Sequence, residues 1–128
     1  MNADAAQAIE RAGYVRLTTY RKDGTPVATP VWHAVHEGEV FVISNLDAWK
    51  VKRIRNDGRV ELTPCNVRGT VKEGAPTVAG TARLLDEAGT ARARRYIASK
   101  YFLSRAGNLL TGVLRLKRPP VIGIAITV

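Results

Sequence analysis

Val40-Phe41-Val42-Ile43-Ser44-Asn45-Leu46-Asp47-Ala48-Trp49-Lys50-Val51-Lys52-Arg53-Ile54-Arg55-Asn56-Asp57-Gly58-Arg59-Val60 decides how this chain is read. Its apolar start carries bulky residues at odd and even positions alike, which predicts a strand from Glu39 to Ser44 buried on both faces. Ser44, Asn45 and Asp47 are helix-start residues, and Asp47 is the natural N-cap. The helix is predicted over about Ala48–Asn56, with Asp57-Gly58 as its stop. At about 100° per residue Val51 and Ile54 share the packing face. Lys50 and Arg53 flank that face on one side and Arg55 on the other, while Lys52 points away. The first N–H groups of a helix have no partner, and its dipole is positive there. A strand feeding a basic helix start is therefore a place to hold a phosphate. The competing reading is an ordinary solvated helix face.

Outward from this stretch the chain reads as antiparallel hairpins with helices inserted. Ala5–Ala12 is a short helix ended by Gly13. Tyr14–Tyr20 alternates with period two and reads as a strand. Asp23-Gly24 is a hairpin signal, and the returning arm is Val27–Val35, interrupted or at an edge at Pro30. Glu37-Gly38-Glu39 is a second turn. Val60–Asn66 and Thr77–Leu85 are further strands, separated by a Gly-rich, charged loop, and Gly80 marks a bulge or a close backbone approach. Asp86 caps a helix to about Tyr101 whose buried face is Ala91, Ile97, Ala98 and Tyr101. Ser104–Leu116 is helical or irregular, and Val121–Val128 is the last strand. No regular βαβ alternation appears, which argues against a doubly wound sheet. Short strands at this density suit a small closed or half-closed barrel, in one domain spanning 1–128.

Composition narrows the partners. The chain has 128 residues, 45% hydrophobic and 24% charged, the balance of a globular domain. Its lone cysteine, Cys65, cannot form an internal bridge, and no apolar run reaches the roughly 18 residues of a membrane span. The expectation is a cytoplasmic protein. Twenty Lys and Arg against eleven Asp and Glu give a net charge of +9, an excess that draws anions. Candidates are nucleic acid, a membrane surface or a polyanionic cofactor. His33 and His36 have no Cys, Asp or Glu at metal-ligand spacing, so no metal site is expected. No nucleophile elbow, Walker loop or dinucleotide fingerprint is present. Aromatic content is only 6%, whereas single-strand nucleic-acid binders interleave aromatics with basic residues.

Ala28-Thr29-Pro30-Val31-Trp32-His33, then Val40–Asn45, then Lys50–Val60, then Val78-Ala79-Gly80-Thr81-Ala82-Arg83-Leu84 resemble, in this order, the flavin/deazaflavin split-barrel family. These are the pyridoxamine-phosphate-oxidase-like oxidoreductases, and the likeness is greatest to the F-420-dependent subgroup. The resemblance implies a mainly β (α+β) fold: a six-stranded antiparallel split barrel with inserted helices, of the FMN-binding type. It implies a homodimer with the cofactor site at the subunit interface. Ser44, Asn45, Lys50 and Arg53 would hold the cofactor phosphate, and Thr29, Pro30, Val31 and Trp32 would lie along its ring. Trp49 stands where many FMN users carry Arg. It thus bears on whether the cofactor is coenzyme F-420 or FMN. The expected activity is hydride transfer between F-420 and an organic acceptor, with no catalytic side chain assigned. The alternatives are an FMN-dependent relative and, in another class, a basic non-enzymatic nucleic-acid or cofactor-carrier protein. The pyridoxal-phosphate substrate residues are not recognisable, so oxidation of vitamin B6 is not expected.

Overall fold

Residues 3–103 and 120–128 are described by the computed structural model. Their elements are α1 (Ala3–Arg11), β1 (Tyr14–Tyr20), β2 (Pro26–Val31), β3 (Ala34–His36), β4 (Glu39–Asn45), α2 (Trp49–Asn56), β5 (Arg59–Cys65), β6 (Val78–Leu84), α3 (Glu87–Leu103) and β7 (Val121–Thr127). The expected segment Ser104–Leu116 lies outside the described residues.

The strands form one antiparallel sheet of seven in the order β2-β1-β5-β6-β7-β4-β3. Its two outermost strands, β2 and β3, are consecutive in the chain and separated only by Trp32 and His33. A single arm therefore pairs with β1 through one half and with β4 through the other, which folds the sheet back on itself. The fold is the split-barrel type, mainly β with inserted helices. Seven strands replace the six expected because the arm breaks at Trp32-His33. Pro30 does not break it. It stays in the ladder opposite Arg16, on a strand at the edge of the sheet among the described residues, where proline is tolerated.

Alternation sorts the side chains. Val15 and Leu17 of β1, Val60 and Leu62 of β5, Val40 and Val42 of β4, and Ile124 and Ile126 of β7 fill the interior. Ile9 of α1 and Ile54 of α2 join the same core. As expected, α2 packs through Val51 and Ile54, both buried. Gly80 marks a close approach, and the ladder runs through it without a bulge. A Cβ there would lie 2.8 Å from the Thr127 carbonyl oxygen.

Two local expectations need correction. Asp47 does not cap α2. Ala48 is the N-cap, and no side chain caps the helix. The Ala48 N–H donates to the Asn45 carbonyl at 3.0 Å, and this turn leaves Asp47 exposed before the helix. The buried face of α3 agrees with expectation at Ile97, with Ala98 half-buried, and differs at Ala91. Thr90, Ala93 and Ile97 are buried and Ala91 is exposed. The Asp86 cap is as expected, its Oδ1 accepting the Gly89 N–H at 2.7 Å. What sets the helix rotation is Thr90, whose hydroxyl accepts the Gly123 N–H at 2.9 Å. Tyr101 has no described side chain. Among the described residues no helix is long and apolar enough to cross a membrane.

Candidate functional site

The β4–α2 junction gathers Ser44, Asn45, Trp49, Lys50 and Arg53. Ser44 is buried, and its hydroxyl donates to the Asn45 carbonyl at 3.2 Å. Asn45 is exposed. The first turn of α2 carries no acidic residue, so nothing in it offsets the positive end of the helix.

Lys50 is half-buried. Burial first, and the Arg53 guanidinium second, hold its ammonium below the ordinary lysine range. Among the described residues it has no hydrogen-bond or ion-pair partner. Arg53 is likewise pushed down by burial and then by Arg21. Lys50, Arg53 and Arg21 thus form a chain of like charges; no described carboxylate forms an ion pair with Lys50 or Arg53, while Asp23 lies within electrostatic reach of Arg21. Arg53 is fixed by its Nε, which donates to the Thr19 hydroxyl at 2.7 Å. Thr19 is buried at the end of the Val15-Leu17-Thr19 face of β1. Sequence reasoning missed it, yet a polar residue closing an apolar alternation was the available signal.

Beside this chain of charge lies a pocket of about 430 Å3 lined by Tyr20, Arg21, Lys22, Trp49, Lys52, Arg53 and Asn56. Trp49 is 70% exposed, and the Lys52 ammonium sits 4.5 Å from its ring centroid. Position 49 therefore holds an aromatic with a cation over its face. The pocket joins an apolar wall to basic groups, an arrangement suited to a flat or extended anion.

The strand residues sit elsewhere. Val31 points into the core and Thr29 is half-buried on the same side, while Pro30 is exposed on the outer face. Trp32 lies beside Tyr14, with ring centroids 6.5 Å apart, and packs on Ala34 and Ile97. Tyr14 and Tyr20 are the two ends of β1, about 20 Å apart along an extended strand. Within one chain, Trp32 and the basic pocket stand at opposite ends of β1. No group of three or more His, Cys, Asp or Glu suited to a metal occurs among the described residues.

His33 and Lys100 make a second polar cluster. His33 is fully buried, its Nε2 lying 2.5 Å from the Ile9 carbonyl oxygen. Lys100 Nζ lies 3.1 Å from the same Nε2 and donates to the Ala12 carbonyl at 2.9 Å. Burial, then Lys100, brings the His33 pKa down to about 4. Burial brings Lys100 down to about 8. These groups tie the end of α1 to α3.

The strand order and the arm shared between β1 and β4 define a split barrel. Residues 1–117 match the family model described as pyridoxamine 5'-phosphate oxidase, and the chain belongs to that family. No curated protein matches at the sequence level. Solved structures share the fold at low identity. An FAD-binding protein from Mesorhizobium loti is 18% identical with a TM-score of 0.70, covering 100% of this chain and 90% of its own. An F420 reductase is 18% identical with a TM-score of 0.61, covering 99% and 94%. HutZ, the heme storage protein from Vibrio cholerae, is 12% identical with a TM-score of 0.69, covering 97% and 87%.

Proposed function

We propose that the chain is a cytoplasmic oxidoreductase that binds the deazaflavin coenzyme F-420 and passes a hydride between it and an organic acceptor. The observation carrying this reading is Lys50, half-buried beside Arg53 and lacking a partner among the described residues. A half-buried ammonium beside another cation is a favourable partner for an anion. A cofactor phosphate on Lys50 and Arg53, near the open end of α2, supplies that anion. When bound, the deazaflavin ring supplies the hydride chemistry, and the protein supplies position, dryness and charge.

Charge favours F-420 over FMN. The deazaflavin coenzyme carries a phosphate and a polyglutamate tail, and the pocket beside Arg53 adds Arg21, Lys22 and Lys52. The separation of Trp32 from that pocket supports a homodimer. Pro30 and Trp32 of one copy would then line the ring whose phosphate the other copy holds. Thr29 and Val31 would shape the strand behind it, while Ser44 and Asn45 support the phosphate turn.

Side-by-side spectroscopic titrations with F-420 and FMN test the reading. F-420 should bind at least tenfold more tightly. Tighter FMN binding transfers the proposal to the FMN alternative. Binding of neither, with steeply salt-dependent DNA binding, favours the non-enzymatic class.

A further inference from the structure

Arg16 lies on the outer face of β1 and takes no part in the phosphate site. Its ladder neighbours are Pro30 on β2 and Thr63 on β5. Its Nε is buried, with no hydrogen-bond partner among the described residues. The polar side chains beside it on this face make hydrogen bonds to other residues. The Thr63 hydroxyl bonds Thr77 at 2.9 Å. Glu61, one ladder position away opposite Thr18, accepts from the Tyr20 hydroxyl at 3.1 Å. Pro30 offers no side-chain polar atom. Above it the chain turns at Gly69 (φ +82°), where a Cβ would lie 3.6 Å from Pro30 Cδ. Cys65 faces Tyr14 across the ladder, and its thiol is pushed up by burial and drawn down less strongly by Arg16.

An arginine Nε removed from water and left unpaired is a costly arrangement. It becomes favourable when the Nε–Nη edge meets a carboxylate through parallel hydrogen bonds. Two residues along the same face, Tyr14 and its neighbour Trp32 present tilted rings with an interplanar angle of 44°. A guanidinium edge and an aromatic wall on one sheet face are complementary to a planar molecule that bears an anion.

We propose that Arg16, Tyr14 and Trp32 form the acceptor site and select a planar, carboxylate-bearing acceptor. The carboxylate takes the Arg16 edge, and the ring packs against Trp32 and Tyr14. The proposal rests on the reading that residues 28–33 line the cofactor ring, because this places the acceptor beside it.

The probes are 2-naphthoate and its neutral isostere 2-naphthamide, followed by tryptophan fluorescence and by NMR with and without F-420. The protein should bind the naphthoate at least tenfold more tightly than the amide. Arg16→Met should abolish that preference, with the melting temperature and the F-420 dissociation constant unchanged within twofold. Arg16→Lys should restore part of the preference, since it keeps the charge and loses the fork. Equal binding of the two probes by the wild type overturns the proposal. So does loss of F-420 affinity in Arg16→Met, which would place Arg16 in the cofactor site. A changed oligomeric state in that variant also overturns it, by making Arg16 an interface contact. If the preference holds while F-420 does not bind at all, the functional reading fails and the anion site stands.

Discussion

Lys50 and Lys100 are both half-buried, and in both burial is the first cause of a lowered pKa. Their surroundings differ. Lys100 Nζ reaches the Ala12 carbonyl and His33, joining α3 to the end of α1. Lys50 has a cation beside it and, among the described residues, no partner. Burial alone therefore does not mark a functional lysine. Burial with the hydrogen bonds made marks a structural tie. Burial without them, next to like charge, is the arrangement on which the proposed anion site rests. The difference also predicts opposite responses to substitution, because sites arranged for ligands commonly sacrifice stability.

The largest expected effect lies on the structural side. His33 has a folded pKa of about 4 against an ordinary 6.5. Between these values the unfolded chain binds more protons, so stability is full above about pH 6.5 and falls on acidification towards pH 4. The loss should be about 3 kcal/mol, read by chemical denaturation at stepped pH. His33→Gln should flatten that limb. For Lys100 the same sign holds in a different window: stability should rise from pH 8 to 10.5 as the unfolded lysine loses its proton.

On the other side, Lys50→Met should weaken F-420 binding at least tenfold, or about 1.4 kcal/mol or more. It should leave the unliganded fold as stable or slightly more so. Lys100→Met should do the reverse, costing about 1–2 kcal/mol of stability through the orphaned Ala12 carbonyl, with F-420 affinity changed less than threefold. Equal behaviour of the two variants in both assays would break the comparison. The smallest effects concern the bare start of α2. Ala48→Ser should add a side-chain cap worth about 0.5–1 kcal/mol, whereas Asp47→Ala should shift stability by less than about 0.3 kcal/mol. Thermal melts of the pair distinguish a bare helix start from one capped by Asp47.

The barrel was largely legible in the sequence because its evidence is local. The period-two run of β1, the Asp23-Gly24 turn and the doubly apolar β4 each announce themselves within a few residues. The Val51–Ile54 face of α2 is equally local. Two features that were misread depend on contacts between segments. Thr90 turns α3 because its hydroxyl meets Gly123 on the last strand, and no helical periodicity contains that. The turn closed by Asn45 and Ala48 decides whether Asp47 reaches the helix start. The site residues divide similarly. Lys50 and Arg53 could be named from helical geometry, but the Thr19 that fixes Arg53 lies on β1, far away in sequence. Arg16 was passed over because a charged residue on an outward position is ordinary. Only the packed sheet shows that its Nε is buried without a hydrogen-bond partner among the described residues.

The central claim is that Lys50 is held ready for an anion at a cost to the unliganded fold. Thermal unfolding of the wild type and Lys50→Met, each with and without saturating F-420, tests it directly. The account predicts an equal or higher melting temperature for Lys50→Met alone, and a ligand-induced rise clearly smaller than that of the wild type. A Lys50→Met protein that melts lower than wild type when unliganded, yet gains the same rise with F-420, would contradict it.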